Sequence, residues 1–185
     1  MILLIDILKE ITEGKQLGTL YHYTEIEYMV RILSDNMLKG KYKDKQDMFI
    51  ISFTRNQIFT SQPRQLGGKN LNSRLVIDGN KLSNKYKLFP YAGYGFRRNV
   101  DKEQEERLYM KDEYLNNIDA YVIYYDFFLE KILDRTYYKI PSLIKYLEFL
   151  LSNIQNPKFR FYFKNKELSK QEAKDIIDNE YKSLK

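Results

Sequence analysis

Apolar residues recur with two different spacings along the chain, and the change from one to the other marks the predicted elements. Helical spacing appears over residues 1–11, 25–35 and 143–151, and Ser169 with Glu172 forms a capping-box sequence before a last helix. Runs rich in β-branched and aromatic residues, typical of strands, cover residues 19–22, 48–55, 74–78, 86–89, 103–110, 121–125 and 159–163. Many strands with few helices predict an α+β fold and not a doubly wound parallel sheet.

The stretch Leu-Tyr-His-Tyr-Thr at residues 20–24 carries the only histidine of the chain. Thr24 is followed three residues later by Glu27, which predicts a capping box at the start of the next helix. His22 would then lie at a strand tip beside a helix N-terminus, where backbone N–H groups meet a polar or anionic ligand. Taken alone, the stretch fits a packed histidine without chemistry better than it fits a site.

Length and composition predict one domain that spans residues 1–185, with a core over 1–135 and a C-terminal helical appendage over 136–185. Long polar segments, at 56–72 and around Gly93 and Gly95, are expected to be functional or mobile loops. No segment approaches a transmembrane length and no cleavable leader is recognisable, so we expect a soluble, cytoplasmic protein that does not enter a membrane.

Charge and cysteine content narrow the classes of partner. The absence of cysteine excludes a disulfide scaffold, and a single histidine argues against a metal site built from side chains. A net charge of +6 favours a polyanionic partner weakly, because abundant Lys, Asn, Ile and Tyr also reflect an AT-rich genome. The composition alone therefore selects no partner.

Three polar clusters lie at predicted strand ends. The first surrounds His22, the second is Ser52-Phe53-Thr54-Arg55, and the third is the run Glu-Gln-Glu-Glu-Arg at 103–107. Side chains alternate along a strand, so Ser52 shares a face with Thr54, and Glu103 shares one with Glu105. Each cluster alone also fits ordinary polar residues on a solvated strand.

Together the clusters resemble the ADP-ribosyltransferase fold. The segments Leu-Tyr-His-Tyr-Thr, Ile-Ser-Phe-Thr-Arg, Leu-Val-Ile-Asp-Gly-Asn-Lys-Leu-Ser and Glu-Gln-Glu-Glu-Arg-Leu are similar to those of phage and bacterial proteins related to that fold. The resemblance covers roughly residues 20–125. It implies a split, mixed or mainly antiparallel sheet with flanking helices, and NAD as the substrate.

The resemblance also implies roles for individual residues. Glu105, the second acid of Glu-x-Glu, would stabilise the oxocarbenium-like transition state as nicotinamide leaves, and His22 would hydrogen-bond a ribose hydroxyl. Glu103 would orient the acceptor. The residues implied in NAD binding are Tyr21, Tyr23, Thr24, Ser52, Thr54, Arg55 and Tyr91.

The sequence departs from the family pattern at two places, which leaves alternatives open. Tyr23 stands where the family often has glycine, and Glu106 offers a competing acid beside Glu105. The activity expected is ADP-ribosyl transfer to an unidentified protein or nucleic-acid acceptor, in phage–host conflict or as a toxin. The alternatives are a non-catalytic phage or host-interaction protein and a nucleic-acid-binding module on the same fold.

Overall fold

A mostly antiparallel sheet organises the part of the chain that the computed structural model describes, which is residues 18–43, 47–55, 57, 71–90 and 105–185. The strands within these residues are β1 (Thr19–Thr24), β2 (Met37–Lys39), β3 (Lys41–Lys43), β4 (Met48–Thr54), β5 (Ser73–Asp78), β6 (Leu88–Pro90), β7 (Glu105–Met110), β8 (Tyr114–Asn116), β9 (Val122–Phe128), β10 (Phe159–Phe163) and β11 (Lys166–Leu168).

The main sheet has nine strands in the order β11-β10-β9-β5-β1-β4-β7-β6, with β3 paired to β4 outside this path. Only the pairing of β9 with β10 is parallel among the described strands. β2 and β8 form a separate two-stranded sheet. The β1 strand therefore lies near the middle, with β4 and β7 on one side and β5, β9 and β10 on the other.

Five helices accompany the sheet in the described ranges: α1 (Ile26–Asp35), α2 (Gly79–Ser83), α3 (Leu129–Ile132), α4 (Ile140–Ser152) and α5 (Lys170–Leu184). A short 3-10 helix covers Ile118–Ala120. Buried residues of α1, α4 and α5, such as Met29, Leu147 and Ile177, join one apolar cluster with buried strand residues. The helices therefore bury their apolar sides against the sheet.

The two faces of the sheet differ in chemistry. The core face carries the strand residues that join the apolar cluster, among them Leu20, Phe53, Leu75, Leu108 and Phe127. Alternation sends their neighbours to the other side. We call that side the aromatic face, and in the central strands it includes Tyr21, Tyr23, Arg74, Val76, Tyr124, Asp126, Phe128, Arg160 and Tyr162.

The N-terminus of α1 is capped differently from the sequence prediction. Its N-cap residue is Glu25, which makes no side-chain cap bond, so the predicted capping box of Thr24 and Glu27 is wrong. The buried Asn72 side chain takes over this role, because its Oδ1 accepts a 2.7 Å hydrogen bond from the backbone N–H of Ile26. The capping box predicted for Ser169 and Glu172 is confirmed at the start of α5.

The predicted α+β class is confirmed, and most predicted elements are present with shifted ends. The strand over 73–78 is followed by the short helix α2, where the Asp78 side chain accepts a hydrogen bond from the backbone N–H of Lys81. The segment after residue 136 holds the expected helices, but it also supplies β10 and β11 to the main sheet and apolar residues to the shared core. The helix predicted over residues 1–11 lies outside the described residues.

Candidate active site

One row of the sheet brings the single histidine and a buried carboxylate to the same face. β1 pairs with β4 so that Tyr21 lies opposite Thr54, which sets His22 beside Phe53. β4 pairs with β7 so that Phe53 lies opposite Glu106. The row therefore runs from His22 across Phe53 to Glu106 on the core face. Two interstrand spacings separate the outer positions, a span of about 10 Å.

His22 is held in one defined tautomer. Its Nδ1 lies 2.9 Å from the backbone oxygen of Ser52, and because a carbonyl only accepts, Nδ1 carries the proton. Burial lowers the pKa of the imidazole, and the bond to the Ser52 oxygen opposes this shift without overcoming it. The ring is neutral at neutral pH, so Nε2 presents an acceptor lone pair suited to a hydroxyl donor.

Glu106 is a buried carboxylate that is only half satisfied. Glu106 is 1% exposed, and its Oε1 accepts a 3.1 Å hydrogen bond from Nε of Arg55 and forms an ion pair with Nη2 at 2.9 Å. Oε2 is buried and has no hydrogen-bond partner among the described residues. Burial raises the pKa of this carboxyl, whereas the Arg55 guanidinium lowers it by a smaller amount. A buried, unpartnered carboxylate oxygen is uncommon in native proteins and requires an explanation.

Phe53 lies between His22 and Glu106 in this row. It is 2% exposed, and its ring meets the imidazole of His22 edge to face with centroids 5.9 Å apart. Phe53 belongs to the buried apolar cluster, so other core side chains pack against it on the face that His22 and Glu106 share.

The other predicted acid falls on the opposite side of the sheet. Glu105 lies opposite Thr54, and Thr54 lies opposite Tyr21, so the register position of Glu105 belongs to the row of the aromatic face. Ser52 also occupies this face, where its side chain is exposed, although its backbone oxygen binds His22. The register thus brings His22 together with Glu106, and it separates His22 from the predicted set of Ser52, Thr54 and Glu105.

The remaining predicted residues divide between the two faces. Thr24 is buried on the core face, two residues along β1 from His22, and the exposed Arg55 reaches Glu106. Tyr21 and Tyr23 are half-buried on the aromatic face, where both rings lie against Arg74. The two other predicted site residues, Tyr91 and Glu103, lie outside the described residues.

A second charged cluster, which the sequence analysis did not single out, crosses the aromatic face. Arg74, Asp126 and Arg160 lie opposite one another on β5, β9 and β10. Asp126 is fully buried and accepts four hydrogen bonds, two from each guanidinium. Burial lowers the pKa of Arg74, but Asp126 and Tyr23 raise it more, so the net shift is upward. No local sequence motif predicts this cluster, because its residues lie on three strands and come together only through the strand register.

No group of three or more acidic or histidine side chains in the described ranges is arranged to hold a metal ion. None of the helices described here is long and apolar enough to cross a membrane. In comparisons with known proteins, the chain matches no family model, no curated protein and no solved structure.

Proposed function

We propose that the chain is an NAD-dependent ADP-ribosyltransferase whose reaction centre is the row of His22, Phe53 and Glu106. The observation that carries the proposal is the buried Oε2 of Glu106, which has no partner among the described residues and shares a face with the histidine. The sequence resemblance at the three clusters gives this geometry its chemical interpretation. The acceptor is a macromolecule, protein or nucleic acid.

In this proposal Glu106 supplies the catalytic carboxylate. The bond between C1′ of the ribose and the nicotinamide nitrogen breaks, and nicotinamide leaves with the electron pair. Positive charge then develops on the ribose, where an ionised carboxylate stabilises it. A nucleophilic oxygen or nitrogen of the acceptor forms the new bond to C1′, and its proton passes to solvent.

His22 and Arg55 support this step by binding. The lone pair on Nε2 of the neutral His22 ring accepts a hydrogen bond from a ribose hydroxyl, and the bond from Nδ1 to the Ser52 oxygen fixes the orientation of the ring. Although burial raises the pKa of Glu106 overall, Arg55 opposes that shift, since a neighbouring cation favours the charged carboxylate. Its side chain is 38% exposed, so the guanidinium also has room for a pyrophosphate oxygen.

Two adjacent acids provide a matched test. Glu105 and Glu106 differ by one position and occupy opposite faces of the sheet by register. Purified wild type, Glu105→Gln and Glu106→Gln are incubated with NAD, and released nicotinamide is quantified by chromatography. We expect Glu106→Gln to lower the rate by at least about 100-fold, the cost of removing an electrostatic catalyst. We expect Glu105→Gln to stay within about threefold of wild type.

The outcomes separate the possibilities. If Glu105→Gln abolishes the reaction and Glu106→Gln does not, the row assignment is wrong and the acid proposed from the sequence resemblance is restored. If wild type neither binds NAD nor releases nicotinamide, with or without cell lysate as a source of acceptor, the transferase proposal fails. Thermal unfolding of each variant establishes that a lost activity is not a lost fold.

A further inference from the structure

The aromatic face carries a surface that is separate from the His22–Glu106 row. Tyr124, Arg160 and Tyr162 lie on the neighbouring strands β9 and β10, and we call them the tyrosine–arginine surface. Four strand spacings, roughly 19 Å, separate β10 from β4, which carries Phe53. The surface and the candidate active site also occupy opposite faces of the sheet.

The surface is built from planar groups stacked on one another. The guanidinium carbon of Arg160 lies 4.0 Å from the centroid of the Tyr124 ring and 5.8 Å from that of Tyr162. Tyr124 is 36% exposed, and the Arg160 side chain is 23% exposed. Tyr124 and Arg160 therefore reach the surface of the protein.

A buried carboxylate fixes the position of Arg160 from below. Asp126 is shared by Arg74 and Arg160, so these three residues together retain one positive charge. The Tyr162 hydroxyl donates a 3.1 Å hydrogen bond to the Glu167 carboxylate, which places one negative charge at the edge of the surface. Nε and Nη2 of Arg160 are held by Asp126, whereas Nη1 donates to no group among the described residues. Arg160 thus offers free N–H donors on a side chain that is already oriented.

From these observations we infer that the tyrosine–arginine surface binds single-stranded nucleic acid. Unpaired bases stack on exposed tyrosine and arginine planes, and each such contact is sequence-tolerant because every base has a π-face. The free donors of Arg160 fit a phosphate oxygen, and the net charge of +6 on the chain favours a polyanion. An acidic peptide would satisfy the charge but would leave the stacked rings without a partner.

The test measures binding of a short fluorescently labelled oligo(dT) and oligo(U) by anisotropy, without NAD. We expect wild type to bind both oligonucleotides and to lose affinity as salt rises from about 50 to 200 mM. Tyr124→Leu and Arg160→Gln are each expected to weaken binding by about tenfold, the loss of one stacking contact. We expect Arg160→Gln to fold, because Asp126 keeps Arg74 as its partner. If Arg160→Gln does not fold, the test rests on Tyr124→Leu, because Tyr124 is exposed.

Matched controls come from exposed residues elsewhere on the chain. Tyr137 is 55% exposed and the Arg135 side chain is 54% exposed. Tyr137→Leu and Arg135→Gln are expected to change affinity by less than about twofold, within the usual effect of a distant surface substitution. Glu106→Gln is expected to bind the oligonucleotides as wild type does. The nucleic-acid proposal is therefore tested independently of the transferase proposal.

Three results would overturn the inference. One is the absence of oligonucleotide binding by wild type at low salt. Another is an equal loss of affinity in the control variants, which would indicate general electrostatic attraction. The third is a combined result, in which a polyglutamate peptide at equal concentration displaces the oligonucleotide and Tyr124→Leu binds the peptide and the oligonucleotide as wild type does. The surface would then recognise acidic chains without base stacking.

Discussion

Two buried charged clusters among the described residues differ in how completely their carboxylates are hydrogen-bonded. On the aromatic face, both oxygens of Asp126 accept hydrogen bonds from Arg74 and Arg160. On the core face, Glu106 is equally buried, but only Oε1 has a partner and that partner, Arg55, is 38% exposed. We call Asp126, Arg74 and Arg160 the closed cluster, because both oxygens of the carboxylate have donors. We call Glu106, Arg55 and His22 of the same row the open cluster, because Oε2 of Glu106 has no donor among the described residues.

This difference teaches how to separate a structural charge from a functional one. A buried carboxylate whose two oxygens both have donors orders the strands that contribute those donors, here β5, β9 and β10. A buried group with an unmade bond costs free energy, and it persists where another requirement, such as a ligand, accounts for it. Substitutions in the two clusters should therefore change stability in opposite directions.

The largest effect is expected where the closed cluster is broken. Asp126→Ala leaves the Arg74 guanidinium, whose side chain is 4% exposed, without its counter-ion. We expect the free energy of unfolding to fall by about 3–5 kcal/mol, measured by urea denaturation. Asp126→Asn retains one acceptor oxygen and should cost less. A loss below about 1 kcal/mol for Asp126→Ala would show that the cluster does not stabilise the sheet.

A smaller loss is expected at the cap of α1, next to His22. Asn72 is fully buried, and its side chain binds the Ile26 N–H, the Ser73 hydroxyl and the Tyr138 hydroxyl. Asn72→Ala should lower the free energy of unfolding by about 2 kcal/mol in the same assay.

Glu27 provides the control for this cap, because the sequence pattern assigned the capping role to it. Its carboxylate instead pairs with Arg31 in an exposed ion pair. Glu27→Gln should therefore cost less than about 0.5 kcal/mol. Equal losses for Asn72→Ala and Glu27→Gln would restore the capping box.

The open cluster should respond with a gain in stability. Glu106→Gln removes a buried charge whose Oε2 has no partner among the described residues, while the exposed Arg55 can turn to water. We expect the free energy of unfolding to rise by about 1 kcal/mol at neutral pH, alongside the loss of activity. Glu105→Gln is the matched control and should leave stability nearly unchanged. If Glu106→Gln lowers the free energy of unfolding as much as Asp126→Ala does, Glu106 has a structural role.

The sequence was sufficient for elements with a strong local signal. Alternating β-branched and aromatic residues located β4, β5, β9 and β10, and the Ser169 box located α5. Three-residue strands such as β3 and β11 carry too few residues for a period to appear. The cap of α1 was missed because Asn72 lies forty-six positions from Ile26, and only the fold brings the two together.

The site was partly readable, and the missing part has a physical reason. On β7, Glu106 alternates with the apolar Leu108 and Met110, which places it on the core face from sequence alone. The register position of Glu105 belongs to the row of Arg107 on the other face. That His22 shares the face of Glu106 depends on the register of β1 with β4 and of β4 with β7, and register is a long-range property.

The smallest effect is a difference in pH dependence within the open cluster. Because burial raises the pKa of Glu106 above 4.5, its contribution to stability is greatest below pH 4.5 and is lost as the pH rises through the folded-state pKa. Because burial lowers the pKa of His22 below 6.5, its contribution is complete above pH 6.5 and is lost as the pH falls through the folded-state pKa.

The two slopes therefore oppose each other, and single substitutions should reveal each one. Urea denaturation across this pH range should show that Glu106→Gln removes the decline on the alkaline side of pH 4.5. His22→Asn should remove the decline on the acid side of pH 6.5. Parallel pH profiles for wild type and both variants would show that folding shifts the pKa of neither group. The open cluster would then not differ from an ordinary surface ion pair.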